Sequence, residues 1–228
     1  MKKKLLLLMA IALAAGGVWA GESVDITKSA SATPTVEIEN LAGSVKIHGW
    51  DREEIKVTGV LGDDTDGLDF SGSNDNFDIE VEIPDSYGWR HRDLDSDLEI
   101  WLPAGSSLAI ETVSASIRVS GVNGRLELES VSGEVTVDGA PTSADVETVS
   151  GSIELSGSET LAVAESVSGK IELSGVAGRV EAATVSGSIR VEASDIEQGE
   201  FEAVSGSVRF TGALSPGARL SAESHSGS

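Results

Sequence analysis

The chain has 228 residues, with 38 acidic side chains against 16 basic ones, a net charge of −22 and no cysteine. So acidic a balance excludes nucleic acid and anionic lipid surfaces as partners, because both need a basic footprint. Without cysteine there is no disulfide framework, so stability has to come from a core and a backbone hydrogen-bond ladder.

The chain opens with Lys2, Lys3 and Lys4, an apolar run from Leu5 to Ala15, a Gly16-Gly17 break, and Val18-Trp19-Ala20. A charged start, a short apolar run and a small-residue site describe a secretory signal peptide over residues 1–20. The run is shorter than the roughly 20 residues a membrane span requires, so an uncleaved anchor is the weaker alternative. No Cys follows it that could carry a lipid. Cleavage after Ala20 removes three of the 16 basic residues and leaves 13 against 38 acidic ones, a net charge of −25. The expected product is exported, to the periplasm or the cell surface, and does not span the membrane.

Residues 21–33 read as a flexible lead-in. From residue 34 the pattern becomes regular. Val36-Glu-Ile-Glu-Asn-Leu41-Ala-Gly-Ser-Val45-Lys-Ile47 contains two stretches of apolar/polar alternation around a corner, the period-2 signature of half-buried strands. Ile55-Lys-Val57, Phe77-Asp-Ile79-Glu-Val81 and Leu98-Glu-Ile100-Trp-Leu102 read as further strands. Gly62–Asn76 and Pro84–Asp97 read as polar loops projecting from this irregular part, residues 34–105.

From residue 106 one phrase recurs. Val113-Ser-Ala-Ser-Ile-Arg-Val119 is followed by near-copies starting at Val131, Val149, Val167, Val185 and Val204. The first five starts are 18 residues apart, and the steps then lengthen to 19 and 21. A fixed short period with Gly at one phase marks a solenoid, in which each repeat is one coil stacked on the last. A second alternation falls late in each coil, as in Leu126-Glu-Leu128 and Ala144-Asp-Val146. Eighteen residues cannot hold a helix and two strands, so the strands are expected to stack in parallel, about 4.8 Å apart. The fold class is therefore all-β: a single parallel β-solenoid, or β-helix, of 18-residue coils. Right-handed coiling is expected by analogy with most extracellular solenoids. The recurring Val, Ile and Leu are expected to point inward. The glycines at the third coil position (Gly133, Gly151, Gly169, Gly187, Gly206) are expected to serve a positive φ. The preceding serines (Ser114, Ser132, Ser150, Ser168, Ser186, Ser205) are expected to form a hydroxyl ladder. His225-Ser-Gly-Ser228 starts another coil that the chain does not finish. The last coil is therefore expected to lie uncovered, from truncation or from pairing with another copy.

Three stretches together, Gly49-Trp50-Asp51-Arg52 with Glu54-Ile-Lys-Val57, Asp97-Leu-Glu-Ile100-Trp-Leu-Pro103-Ala-Gly105, and the Val-Ser-Gly-Ser-Ile phrase, resemble a bacterial family known as "putative adhesin" (domain of unknown function 4097). The resemblance covers residues 34–228. It implies an exported β-solenoid of the cell envelope, some relatives of which look like envelope-stress or antimicrobial-peptide-sensing components. It implies no catalytic residue.

Enzyme constellations are missing from the sequence. His48, His91 and His225 form no metal-binding pair, and there is no phosphate loop and no G-x-S-x-G elbow. Gly62-Asp-Asp-Thr-Asp-Gly67, with Asp69, lacks the spacing and distal Glu of a calcium loop and reads as a solvated acidic loop. Tyr87, Trp89, Arg90, His91 and Arg92 form the one basic-aromatic cluster, a candidate recognition loop. The clearest signal is charge sorting. The outward positions of the late strands hold Glu37, Glu39, Glu111, Glu127, Glu129, Asp145, Glu147, Glu165, Glu181, Glu200, Glu202 and Glu223, and no base. The outward positions of the early strands are mixed. Glu39, Glu111, Glu129, Glu147, Glu165, Glu202 and Glu223 are the candidate acidic binding face, with Ala183 interrupting the column.

The expectation is a non-enzymatic, adhesin-like envelope protein, without cofactor or metal, whose acidic face takes cationic peptides or divalent cations, or meets another envelope protein. A structural element assembling end to end is the alternative, and a polysaccharide-active β-helix enzyme a remote one.

Overall fold

Residues that alternate apolar and polar bury one face, and here they do so twice per coil. The computed structural model describes residues 21–84, 93–158 and 160–227, and they contain no helix. The strands, in order, are β1 (Ser23–Asn40), β2 (Ala42–Trp50), β3 (Glu54–Val60), β4 (Gly67–Glu82), β5 (Asp95–Pro103), β6 (Ser107–Thr112), β7 (Ser116–Ser120), β8 (Arg125–Ser130), β9 (Val135–Asp138), β10 (Ser143–Thr148), β11 (Ile153–Ser158), β12 (Leu161–Ser166), β13 (Ile171–Ser186), β14 (Ile189–Ser205) and β15 (Val208–Ser226). The signal segment, residues 1–20, lies outside the described residues.

Two parallel stacks run along the molecule. In one, β5, β2, β7, β9 and β11 lead into the first halves of β13, β14 and β15. In the other, β4, β1, β6, β8, β10 and β12 lead into their second halves. Ile153 pairs with Ile171 and Ile171 with Ile189, one 18-residue period apart, and Ile189 pairs with Val208 after the longer step. The parallel solenoid read from the repeat is the fold. The inward residues of the two stacks meet between them: Ile117 and Val119, Val135 and Val137, Ile153 and Leu155 from one, and Ile110, Leu128, Val146 and Ala164 from the other, all essentially buried. Each large aliphatic side chain so buried contributes about 1.5–3 kcal/mol. In a core this thin, that sum recurs coil by coil.

The N-terminal end departs from the simple stack. β3 runs antiparallel to both β1 and β5. Only Asp51, Arg52 and Glu53 separate β2 from β3. Parallel strands need a crossover of a dozen or more residues, so a turn this short reverses the chain. The Trp50 indole N–H fastens the turn by donating to the Glu54 carbonyl at 2.9 Å. The segment 21–33, expected to be flexible, is instead part of the sheet from Ser23 onward, with Ser23–Ser29 paired to β3. The first polar excursion is also shorter than expected. Gly62–Asp66 turns, but Gly67 onward belongs to β4. At the other end β15 stacks on β14 in register as far as Ser205 and Ser226. It does not fold back over the last coil, and Leu214 and Leu220 stay exposed.

Candidate binding groove

The corner after each late strand is where the stack is tightest. Gly133, Gly151, Gly169, Gly187 and Gly206 do not adopt positive φ, contrary to the expectation. They are glycine because of close approach. A Cβ on Gly169 would sit 1.7 Å from the Gly151 carbonyl oxygen, and one on Gly151 would sit 1.8 Å from that of Gly133. Positive φ falls instead at the corner after the early strands, at Gly121, Gly157 and Gly175. Ala115 fits at the base of the column, above Gly43, whose φ of 99° differs from that of the glycines above it.

The hydroxyl ladder lies two residues before the serines expected to form it. Thr112, Ser130, Thr148, Ser166 and Thr184 are buried. The Ser130 Oγ accepts from the Gly133 N–H at 2.9 Å, Thr148 Oγ1 from Gly151 at 3.0 Å, and Ser166 Oγ from Gly169 at 2.7 Å. Thr112 opens the ladder by donating to the Ser130 hydroxyl at 2.9 Å. These bonds answer backbone donors that the bend would leave unpaired, a cost of about 1–3 kcal/mol each. The serines at the second coil position face solvent.

Bending at the hydroxyl residue turns its two neighbours outward on either side of a furrow. The repeated triplet is Glu111-Thr112-Val113, Glu129-Ser130-Val131, Glu147-Thr148-Val149 and Glu165-Ser166-Val167, continued by Ala183-Thr184-Val185 and Glu202-Ala203-Val204. Val113, Val131, Val149, Val167, Val185 and Val204 are 45–52% exposed. The expectation that the recurring valines point inward is therefore wrong for this column. In the early strand the inward positions are the fifth and seventh of each coil.

Register turns the triplets into walls. Glu39 pairs with Glu111, Glu111 with Glu129, Glu129 with Glu147 and Glu147 with Glu165; Ala183 and Glu202 follow, and then Glu223. On the other side of Glu39 the structure adds Glu80 of β4, which the sequence reading did not assign to the face. A groove of about 700 Å³ runs between the walls across eight strands, from β4 to β14, and a smaller hollow continues it to Glu223 and His225. Asn40 lines its floor in the ladder position below Thr112. Its Nδ2 donates to the Ser96 carbonyl at 2.9 Å, and its Oδ1, fully buried, has no partner among the described residues.

The acidic wall is electrostatically loaded. Burial, and then the charges of Glu80 and Glu111, raise the Glu39 carboxyl above its ordinary pKa. Burial, and then Glu111 and Glu147, do the same to Glu129. Asp145, in the neighbouring outward column, is raised by burial and by Glu127. Among the described residues no Lys or Arg forms an ion pair with the wall carboxylates. On the early-strand face Glu172 pairs with Lys170 at 2.7 Å and Arg190 at 3.8 Å.

The other sequence candidates fall elsewhere. Tyr87, Trp89, Arg90, His91 and Arg92 lie outside the described residues. In the Gly62–Gly67 turn the Asp64 carboxylate accepts from the Asp93 N–H at 2.8 Å, which fastens the turn to the start of the Asp95 strand. Among the described residues no group of three or more His, Asp or Glu side chains is arranged to hold a metal ion. The fold does gather Glu99, His48 and Ser120, at 3.1 and 3.0 Å. The Ser120 hydroxyl also donates to the Ile47 carbonyl at 3.0 Å. His48 stacks on Trp101.

Fold and groove together define a parallel β-solenoid repeat protein with one amphipathic, acidic furrow along its axis. The family model described as Toastrack DUF4097 matches residues 21–228, and the chain belongs to that family. No curated protein matches the chain. Among solved structures, a "Putative lipid binding protein" of Parabacteroides distasonis is similar over 92% of this chain and 96% of its own, with 17% identity and a TM-score of 0.54. A "putative adhesin" of the same organism has 10% identity and a TM-score of 0.49, over 91% of this chain and 96% of its own. A "putative cell adhesion protein" of Clostridium sporogenes has 8% identity and a TM-score of 0.37, over 87% and 97%. At these identities the first likeness speaks to fold alone.

Proposed function

We propose that this protein is a non-enzymatic, exported binding solenoid of the cell envelope whose groove takes a cationic, amphipathic peptide. The observation that carries the reading is an acidic wall facing an exposed valine wall, in register, over a floor of buried hydroxyls. Carboxylates that pair with no Lys or Arg among the described residues attract a polycation over several ångströms and hold it in place. The valines add apolar area worth about 25 cal/mol per Å² covered, which a simple metal cation would leave exposed. Export is supported by Lys2–Lys4 and the apolar run after them, and N-terminal sequencing of the secreted chain starting at Gly21 is the check.

The test is anisotropy of a labelled Lys- and Leu-rich peptide against the protein and its Glu129→Gln/Glu147→Gln/Glu165→Gln variant. Exposed charge pairs contribute about 0.2–1 kcal/mol each. The variant should therefore bind roughly tenfold more weakly, with a flatter salt dependence. Equal binding by the variant would make the acidic wall a solubility device. Sedimentation with neutral phosphatidylcholine vesicles, with no peptide binding, would overturn the reading in favour of lipid.

A further inference from the structure

The groove is a ruler, and the length of its divisions selects the shape of what lies in it. Successive rungs are one strand spacing apart, about 4.8 Å, so every second rung recurs at about 9.6 Å. Resting on the proposed peptide-binding role, we infer that the occupant is a polyproline-II segment with a cationic residue at every third position and an apolar residue beside it.

Three conformations can lie along the axis. A polyproline-II helix has three residues per turn and rises about 3.1 Å per residue, so one face repeats every 9.3 Å or so. Against two rungs the mismatch is about 0.3 Å, and over the seven steps from Glu80 to Glu202 it accumulates to roughly 1 Å. An α-helix presents a face every seven residues, about 10.5 Å, and drifts by roughly 3 Å over the same length. An extended β segment repeats a face every 6.7 Å or so, which fits neither one rung nor two.

The threefold helix also suits the cross-section. One face meets the carboxylates, the next meets the valines, and the third faces water. Such a segment has its own backbone groups solvated, so it needs no strand edge, and the groove floor provides none.

The wall itself contains a preferred phase. Taking every second rung from Glu39 gives Glu39, Glu129, Glu165 and Glu202, four carboxylates without a gap. The other phase meets Ala183 and is broken there. A twelve-residue polyproline-II segment, about 37 Å long, carries four cations at the unbroken spacing.

The experiment uses (Lys-Val-Pro)₄ and an isomer of the same composition. In the isomer Pro stays at every third position, but Lys and Val exchange places in alternate triplets. Both peptides keep the helix and the charge; only the first keeps one cationic face. The first should bind at least fivefold more tightly. Glu129→Gln/Glu165→Gln should weaken it severalfold, and Glu111→Gln/Glu147→Gln by less than twofold. Circular dichroism of the bound peptide should retain the polyproline-II signature. If both peptides bind equally and both double variants weaken them equally, the ruler is overturned while the cationic-peptide groove stands. If neither peptide binds and the Lys- and Leu-rich peptide also fails, the groove reading itself is lost. A helical signature in the bound peptide would also overturn the ruler.

Discussion

The two long faces of this solenoid are built by the same rule, yet one is acidic throughout and the other mixed in charge. Both stack one outward side chain per coil at the same spacing. On the early-strand face the column runs Glu99, Lys46, Arg118, Thr136, Glu154, Glu172, Arg190 and Arg209, a mixture of both signs, and Glu172 and Arg190 form an ion pair between neighbouring rungs. On the groove face glutamate meets glutamate. A parallel, in-register stack thus amplifies whatever the repeat places at one phase. Mixed signs offset one another along a column, whereas identity accumulates into a field. The groove face is held in register at a corner where glycine backbones approach closely and hydroxyls accept from glycine N–H groups.

The largest effect should come from breaking that corner. Gly169→Ala forces a Cβ into the Gly151 carbonyl, 1.7 Å away. Backbone cannot give way as a flexible side chain can, so a loss of about 3 kcal/mol is expected. For a chain of this size that is a fall of roughly 6–12 °C in Tm by thermal circular dichroism. Ala115→Gly, at the base of the same column, should change Tm by far less.

Next comes the ladder. Thr148→Val keeps shape and removes the acceptor of the Gly151 N–H. Leaving that buried donor unpaired should cost about 1–3 kcal/mol, read in urea denaturation.

The smallest effect is the most diagnostic, because its sign differs between the faces. Glu129→Gln removes repulsion from Glu111 and Glu147 and should stabilise the fold by a few tenths to about 1 kcal/mol. Glu172→Gln removes two exposed ion pairs and should destabilise it by about 0.5 kcal/mol or less. The pH dependence follows from the raised carboxyls of Glu39, Glu129 and Asp145. In the folded state they bind protons more tightly than in the unfolded chain. Their penalty is absent below the unfolded carboxylate range and fully present above the raised folded pKa. Stability should therefore rise as pH falls from 7 into that range, and Glu129→Gln should reduce the rise. A stability curve that is flat, or that falls over the same interval, would show that the wall carries no stored repulsion.

Much of this was legible without coordinates. The repeat of Val131-Ser-Gly through Val204-Ser-Gly set the coil length, and the alternations at Ile153-Glu-Leu155 and Ala144-Asp-Val146 marked the two stacks. The acidic column was visible as a phase. What the sequence reading missed was that the glutamate and valine columns flank a single residue and so make one groove. The triplet Glu-Thr/Ser-Val was there to be seen, but valine in a β repeat is usually core, and alternation alone does not say where a strand ends. Glu80 was missed because β4 follows the reversal at Asp51–Glu53, where the 18-residue phase no longer applies.

The sequence by itself determined the period, and with it the parallel stack and the identity of each column, because a solenoid contacts only its neighbours and its contacts repeat with the chain. Tertiary structure decided the curvature. Whether the residue after a buried threonine enters the core or turns to solvent depends on a corner angle, set by a carbonyl in the coil below and a hydroxyl bonded to a glycine N–H. Those contacts lie between coils, so no single repeat specifies them, and they are what open the groove.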